Sequence, residues 1–242
     1  MPSAPLSAAQ RSALEGLLAD LRDIFGNRLR SVSAYGLDDR DERDTHTIAF
    51  VDHLAFEDLA ACAPRTRGWQ NHGLAVPLIL QGDEFTRSLD VFPLEYGEIV
   101  AHHVLLYGED PLRGVAVSEQ DRRRGCELQA KSHLIHLRES FLETRGEPRA
   151  VARMIGASAE GFRRLLENLV ALVRPTADHP PGHPDLAHDA ERLVGVPAGL
   201  TRDVLAAAAG GGPTTIADPS ALLARYIDAV EDIWVFVDRW KQ

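Results

Sequence analysis

The residues best suited to chemistry lie between positions 31 and 51, where two short β-rich segments flank an acidic loop. Ser31–Leu37 precedes the loop and ends in Gly36-Leu37, while Thr45–Val51 follows it. Carboxylates crowded in this way could hold a divalent cation, because Mg²⁺ prefers oxygen ligands. The alternative is an ordinary solvated run of charge. The acidic residues of the loop are Asp38, Asp39, Asp41, Glu42 and Asp44.

The order of these segments resembles the opening of the nucleotidyltransferase superfamily, which includes the aminoglycoside and the minimal nucleotidyltransferases. In that family one strand ends in Gly-Ser, and an Asp-x-Asp pair begins the next strand. A third carboxylate lies on a later strand, in a run similar to Ser88–Glu95, and His102–Leu112 resembles the segment that leads into the family's helical domain. The resemblance implies that three carboxylates hold two Mg²⁺ ions, which clamp the phosphates of a nucleotide while the Gly-Ser turn donates to a phosphate.

This chain departs from the family pattern at three positions. Leu37 stands in place of the serine, and Thr45 and Thr47 stand in place of the Asp pair. The resemblance makes Gly36, Leu37, Thr45 and Thr47 the cofactor-binding positions. Neutral threonine hydroxyls cannot offset the cost of removing water from Mg²⁺. We therefore expect a two-metal site that is absent or weak, with no cofactor unless the site is active, in which case it would use Mg²⁺.

Two carboxylates are candidates for the remaining metal positions. Asp90 is the only one that stands where the family has a carboxylate, so the resemblance makes it a metal ligand and a catalytic residue. Asp44 is a second candidate ligand because it directly precedes Thr45. A shift of one residue along a strand reverses the face of its side chain, which counts against this rescue.

A long helical segment after residue 116 supplies the candidate general base. In related enzymes the first helix of the C-terminal domain can present a carboxylate to the active site, and Glu127 is the residue that would do so here. The alternative is a surface ion pair with Lys131, one helical turn away. His133 and His136 could line a cleft or bind a metal, although two histidines without a third ligand are a weak metal signal.

Apolar residues at helical spacing near the C-terminus indicate core packing or a dimer interface. We predict a two-fold homodimer through this helix, carried by Tyr226, Ile233, Trp234, Val237 and Trp240. Two further groups favour structural or adventitious roles: the cysteines Cys62 and Cys126, and the loosely spaced His179, His183 and His188.

Composition limits the choice of partners and compartment. The net charge is −10 over 242 residues, which disfavours binding to nucleic acid. The chain contains 2 cysteines and no long apolar run, so a reduced cytoplasmic location without membrane insertion is expected. The partners compatible with this composition are a small molecule or a nucleotide and a second copy of the chain.

The periodicity of the chain predicts two domains, residues 1–115 and 116–242. The first has the pattern of an α+β domain, a mixed sheet with helices, which the resemblance makes nucleotidyltransferase-like, and the second is an all-α helical domain. In the first domain we predict helices over Ser7–Phe25, Phe56–Ala63 and Asp83–Ser88, and strands over Leu29–Tyr35, Thr47–Val51, Ala75–Leu80, Leu89–Phe92 and Val104–Tyr107. In the second domain we predict helices over Asp121–Thr144, Pro148–Ile155, Glu160–Val173, Thr201–Ala209 and Ser220–Trp240.

These observations lead to one functional hypothesis and two alternatives. The hypothesis is a nucleotidyltransferase-like protein with an impaired two-metal site that binds a small ligand, a nucleotide or a partner in the cleft between its domains. The first alternative is an active Mg²⁺-dependent enzyme that moves a nucleoside monophosphate to a hydroxyl of a small acceptor such as an aminoglycoside. The second is a purely structural or dimerisation module. Fold resemblance alone does not choose among them.

Overall fold

The computed structural model describes residues 6–37, 44–174, 185–209 and 216–240. Contacts between Cα atoms divide the chain into two compact units, Met1–Ser118 and Glu119–Gln242. Within the described ranges, no helix combines the length and the apolar composition that crossing a membrane requires.

The N-terminal unit is built on a mixed sheet of four strands in the order β3-β2-β1-β4. Strands β1 and β2 are antiparallel, β1 and β4 are antiparallel, and β2 and β3 are parallel. The predicted mixed sheet is therefore confirmed. The elements are α1 (Ala8–Phe25), β1 (Leu29–Tyr35), β2 (His46–Val51), α2 (Phe56–Cys62), α3 (Thr66–Asn71), β3 (Leu78–Gln81), α4 (Glu84–Arg87), α5 (Pro93–His102) and β4 (Val104–Gly108).

Helix α1 begins at a capping box and covers one face of the sheet. The Ser7 hydroxyl accepts from the Gln10 amide nitrogen, and the Gln10 side chain accepts from the Ser7 backbone. Its buried residues recur at helical spacing and form one core cluster with residues of β1 and β2. The buried residues of α1 are Leu14, Leu17, Leu21 and Phe25.

The two faces of the sheet contact different core clusters, and strand alternation determines which residue faces which cluster. On β2, Ala49 and Val51 lie in the cluster of α1, while Ile48 and Phe50 lie in a second cluster with residues of α4 and α5. On β1, Val32 and Ala34 face α1. Ser31, Ser33 and Tyr35 have the opposite parity and pair with Phe50, Ile48 and His46.

A glycine allows β4 to approach β1 closely. Gly108 has φ +81°, and a Cβ atom at this position would lie 1.9 Å from the Arg30 carbonyl oxygen. Any other residue would be strained by this conformation and would also collide with the neighbouring backbone. The pairing of Ser31 with Gly108 therefore depends on the absence of a side chain.

The predicted strand Leu89–Phe92 is wrong. These residues form a turn that leads from α4 into α5, and Pro93 is the first residue of α5. Proline fits the first turn of a helix because the amide proton that it lacks has no partner inside the helix. The strand was predicted because a proline can also mark the end of a strand.

The helical unit contains α6 (Glu119–Glu143), α7 (Pro148–Val173), α8 (Leu186–Val194), α9 (Ala198–Ala209) and α10 (Pro219–Arg239). Helix α7 joins two segments that were predicted to be separate, and α8 was not predicted. Gly156 lets α7 approach α9, because a Cβ atom there would lie 2.9 Å from the Ala207 carbonyl oxygen. In the described part of this unit, the segments between the connecting loops are all helices.

Candidate functional site

The end of β1 and the start of β2 form the region where the resemblance locates a ligand. Gly36 follows β1 with φ +66°, a conformation that favours glycine. Tyr35 pairs with His46 across the two strands, and their ring centroids lie 5.5 Å apart. Asp44 is exposed just before β2. Leu37 is half-buried and packs against the α1 cluster, so its side chain contributes to the core.

Thr45 and Thr47 are buried, with exposed fractions of 6% and 1%. The Thr45 hydroxyl accepts from Gln10 Nε2 of α1 at 3.3 Å, and the Thr45 backbone bonds to Gly73 and Ala75. The Thr47 hydroxyl has no hydrogen-bond partner among the described residues. Both threonines therefore belong to the interior of the N-terminal unit and are not exposed to a ligand in this structure.

Strand alternation places His46, and not Thr47, on the sheet face of Tyr35. Thr47 has the parity of Ala49 and Val51, which pack in the α1 cluster. His46 has the parity of Ile48 and Phe50, on the face of Tyr35. Counting back two residues from His46 leads to Asp44. The pair that shares one parity at the start of β2 is thus Asp44 and His46.

Asp90 lies in the turn between α4 and α5, where its side chain is exposed. The residues that follow it, Val91 and Phe92, are exposed by 62% and 47%. Asp90 is therefore not on a strand, contrary to the position that the resemblance gave it. Its roles as a metal ligand and as a catalytic residue remain predictions.

Glu127 on α6 is held by an ion pair, but with a different partner from the one predicted. Its carboxylate lies 3.0 Å from Arg123, which also donates to the Val237 carbonyl oxygen. Lys131 lies over the ring of Trp234, with its Nζ atom 3.6 Å from the ring centroid. The role of Glu127 as a general base remains a prediction.

The histidines of α6 have separate partners. His133 Nε2 lies 2.6 Å from the Tyr226 hydroxyl, and the exposed His136 lies 3.4 Å from Glu139. His179 and His183 fall outside the described residues. In the ranges that the structure describes, no cluster of three or more His, Cys, Asp or Glu side chains is arranged to hold a metal ion.

The two cysteines are buried thiols. Burial raises the pKa of the Cys126 thiol to about 12 and also raises that of Cys62. Because the thiolate is the reactive form, neither residue is activated as a nucleophile.

A cavity that was not predicted lies at the carboxyl ends of the parallel strands β2 and β3. Its volume is about 520 Å³. The charged groups of its lining are already paired: Asp52 with Arg30, Asp83 with Arg87, and Glu84 with the Gln81 backbone amide. The sequence signal that marks this position is an acidic residue after each strand: Asp52 directly follows β2, and Asp83 lies two residues after the end of β3. The lining consists of Asp52, Gln81, Gly82, Asp83, Glu84, Arg87 and Ser88.

The apolar residues of α10 lie mainly inside the helical unit. Tyr226, Ile233 and Val237 are buried in its core. Trp234 lies under Lys131, and Trp240 packs against Phe236 with ring centroids 5.2 Å apart. Most of the side chains on which the homodimer prediction was based therefore pack within the helical unit. The homodimer remains an untested prediction.

Comparison with known proteins gives a structural similarity but no sequence match. No family model matches this sequence, and no curated protein matches it. Among solved structures, it is similar to the spectinomycin adenyltransferase AAD(9) from Enterococcus faecialis, crystallised with ATP and spectinomycin. The TM-score is 0.43 and the identity 9%, over 91% of this chain and 99% of that chain. Values this low do not establish a shared activity.

Proposed function

We propose that this chain is a nucleotidyltransferase-like protein whose two-metal centre is impaired and which binds a nucleotide or similar small ligand without transferring it. The binding region in this proposal is the end of β1 and the start of β2, around Gly36, Asp44 and His46. One observation carries the proposal: Thr45, just before β2, and Thr47 within it are both buried in the core, so the residue that shares the parity of Asp44 is a histidine and not a second carboxylate.

The chemistry of Asp44 and His46 differs from that of a carboxylate pair. Mg²⁺ prefers hard oxygen ligands in octahedral geometry, and an imidazole nitrogen is a poor substitute. One carboxylate supplies too little negative charge to hold two divalent cations beside a triphosphate. A glycine turn and the Tyr35–His46 ring pair, whose planes are tilted by 34°, remain suited to contacts with a phosphate and a planar base.

The test is to restore a carboxylate at the position given by strand alternation. His46→Asp creates an Asp-x-Asp pair with Asp44, and we expect it to gain Mg²⁺ binding that the native protein lacks, measured by calorimetry. The matched control is Thr47→Asp, which introduces a charge into the core next to α1. We expect this control to lose stability, with no recovery when Mg²⁺ is added.

Ligand binding and transfer are measured separately. The native protein is expected to bind ATP in calorimetry and to show no transfer of a nucleoside monophosphate to an aminoglycoside. Loss of ATP binding in Gly36→Val would support the proposed location. Transfer by the native protein that disappears in Asp44→Ala would establish the active Mg²⁺-dependent enzyme instead. The absence of any nucleotide binding would reject the proposed ligand class.

A further inference from the structure

Helix α6 carries apolar side chains on two opposite faces. The buried residues of its inward face are Cys126, Ala130, Leu134 and Leu137. On the outward face, Leu128, Ile135 and Leu142 are exposed by 72%, 42% and 75%. A helix at the surface of a domain normally has polar residues opposite its core face. The three outward residues therefore form an apolar row that is not part of the core, and we call it the outer row.

The members of the outer row follow one another at intervals of seven residues. Seven residues make two turns of an α-helix with a drift of only about 20°, so the side chains lie one above another over about 20 Å of the helix. Apolar residues with this spacing pack against a second helix in a left-handed coiled coil. Two copies of α6 have rows of identical spacing. The periodicity therefore favours a second copy of this chain as the partner.

Charged side chains of opposite sign lie along the two edges of the outer row. A residue three positions after a row member lies about 60° to one side, and a residue four positions after it lies about 40° to the other side. Lys131 and Arg138 lie on the first side, which also contacts α10. Ser132 and Glu139 lie on the second side, where Glu143 follows one turn later. The row thus has a basic edge and an acidic edge.

These edges determine how two copies of α6 can pair about a two-fold axis. When the axis runs along the helices, the helices are parallel, and the basic edge of each copy faces the acidic edge of the other. When the axis is perpendicular to the helix pair, the helices are antiparallel and edges of the same sign face each other. Opposite charges across an interface favour pairing, and like charges oppose it. The charge pattern therefore favours parallel helices, in which each row member packs beside its own copy.

We propose that α6 is a self-association surface, through which two copies of this chain pair with their α6 helices parallel and in register. Ile135 lies at the centre of the interface, with Leu128 and Leu142 on either side of it along the helix. At each edge, Arg138 of one subunit faces Glu139 of the other. This interface differs from the α10 surface that the sequence predicted, and it does not depend on the proposed ligand site.

Sedimentation velocity of the full chain between about 1 and 100 μM tests the association. The native protein is expected to change from one chain to two over this range. Ile135→Asp places two carboxylates side by side and should weaken association by at least about tenfold. The matched control is Phe56→Asp, which changes a side chain of the N-terminal unit that is 78% exposed and should leave association unchanged. A native protein that stays a single chain, or an Ile135→Asp variant that still pairs, overturns the proposal.

Cysteine cross-linking tests the direction of the helices. In a parallel pair, Leu128→Cys and Leu142→Cys each meet their own copy, so oxidation should give a disulfide-linked dimer in both variants. The native Cys62 and Cys126 are buried and should give little background. Phe56→Cys is the control, and it should remain a single chain. Failure of both row variants to cross-link, even if Ile135→Cys does so, overturns the parallel arrangement.

Charge reversal tests the two edges in the sedimentation assay. Glu139 is 64% exposed, so Glu139→Arg is expected to leave the fold intact. It should weaken association by at least about threefold, because cations then face each other at both edges. Adding Arg138→Glu to this variant makes the edges complementary again and should restore association. An unchanged dimer in Glu139→Arg would show that the edges do not face each other, against the proposal.

Discussion

The two units treat buried polar groups differently. In the sheet of the N-terminal unit, the hydroxyls of Ser31, Ser33 and Thr47 are buried, and within the described ranges they have no partner. In the helical unit, His133 and Tyr226 bond to each other, and Ser158 donates to a carbonyl oxygen. The indole nitrogen of Trp240, at the end of the described chain, is the exception there.

This difference indicates where the chain tolerates a cost in stability. A buried hydroxyl without a partner costs about 1–3 kcal/mol relative to one that is paired. The helical unit mostly avoids this cost because its buried polar groups are paired, as is usual in a structural core. The sheet retains it at Ser31 and Ser33 within β1 and at Thr47, which lies next to His46 in the region that we propose as a ligand site. Unsatisfied groups of this kind occur at functional positions.

The largest effect is expected from a change that breaks the sheet at its β4 edge. Gly108→Ala should destabilise the N-terminal unit by about 3 kcal/mol or more, because the new methyl group meets the Arg30 carbonyl oxygen and φ is positive. Gly114→Ala is the matched control, since it has the same φ of +81° with open space around it. Its cost should be about 1 kcal/mol. Equal thermal shifts in the two variants would show that the close approach is unimportant.

A smaller loss is expected from the ion pair that joins the start of β1 to α2. Asp58 accepts two hydrogen bonds from Arg28 and one from the Ala55 amide, and these bonds lower the pKa of its carboxyl to about 2. Asp58→Asn should cost about 2 kcal/mol at neutral pH in urea unfolding. The control is Asp52→Asn, whose pair with Arg30 is exposed and should be worth less than about 1 kcal/mol.

The pH dependence of this ion pair has a defined sign. Because the pKa of Asp58 is lower in the folded unit than its ordinary value of 3.8, the stabilisation is complete above that value. It is lost as the pH falls toward 2. Native protein and Asp58→Asn should therefore converge in stability at low pH. Parallel stability curves would contradict this account.

The smallest effects have opposite signs in the two units, and they test the comparison most directly. Thr47→Val removes an unpartnered hydroxyl at nearly constant volume and should raise stability by about 1 kcal/mol. Tyr226→Phe removes the hydroxyl that shares a hydrogen bond with His133 and should lower stability by about 1 kcal/mol. Thermal melts at pH 7.5 measure both. A loss of stability in Thr47→Val would show that this hydroxyl is satisfied in solution.

Elements with a clear periodicity were predicted correctly from the sequence. The prediction was wrong where one residue is compatible with two different structures. Strand β1 has the predicted bounds, because its alternation and its flanking glycines agree. The turn around Asp90 was assigned to a strand because Pro93 can end a strand or begin a helix. Helix α7 was predicted as two separate helices with a break after Ile155. In the structure the helix continues through Gly156, which lets α9 approach closely.

The orientation of β2 could not be predicted from its residues alone. Both faces of this strand are buried, so it lacks the alternation of polar and apolar residues that reveals which side chains face the core. Thr45 and Thr47 were therefore interpreted as facing a ligand, whereas they pack toward α1. The boundary between two domains near residue 115 remains a prediction, although contacts separate the chain near Ser118.

The cation–π contact of Lys131 has a consequence for how the two units can be told apart by proteolysis. The chain contains lysine only at positions 131 and 241, so a lysine-specific protease has no site in the N-terminal unit. Lys131 lies in the middle of α6 with its ammonium over Trp234. Cleavage at Lys131 requires α6 to unfold locally. The N-terminal unit has no lysine and is therefore not cut by this protease, whether it is folded or unfolded. The rate of this single internal cut therefore reports the opening of the helical unit in the intact protein.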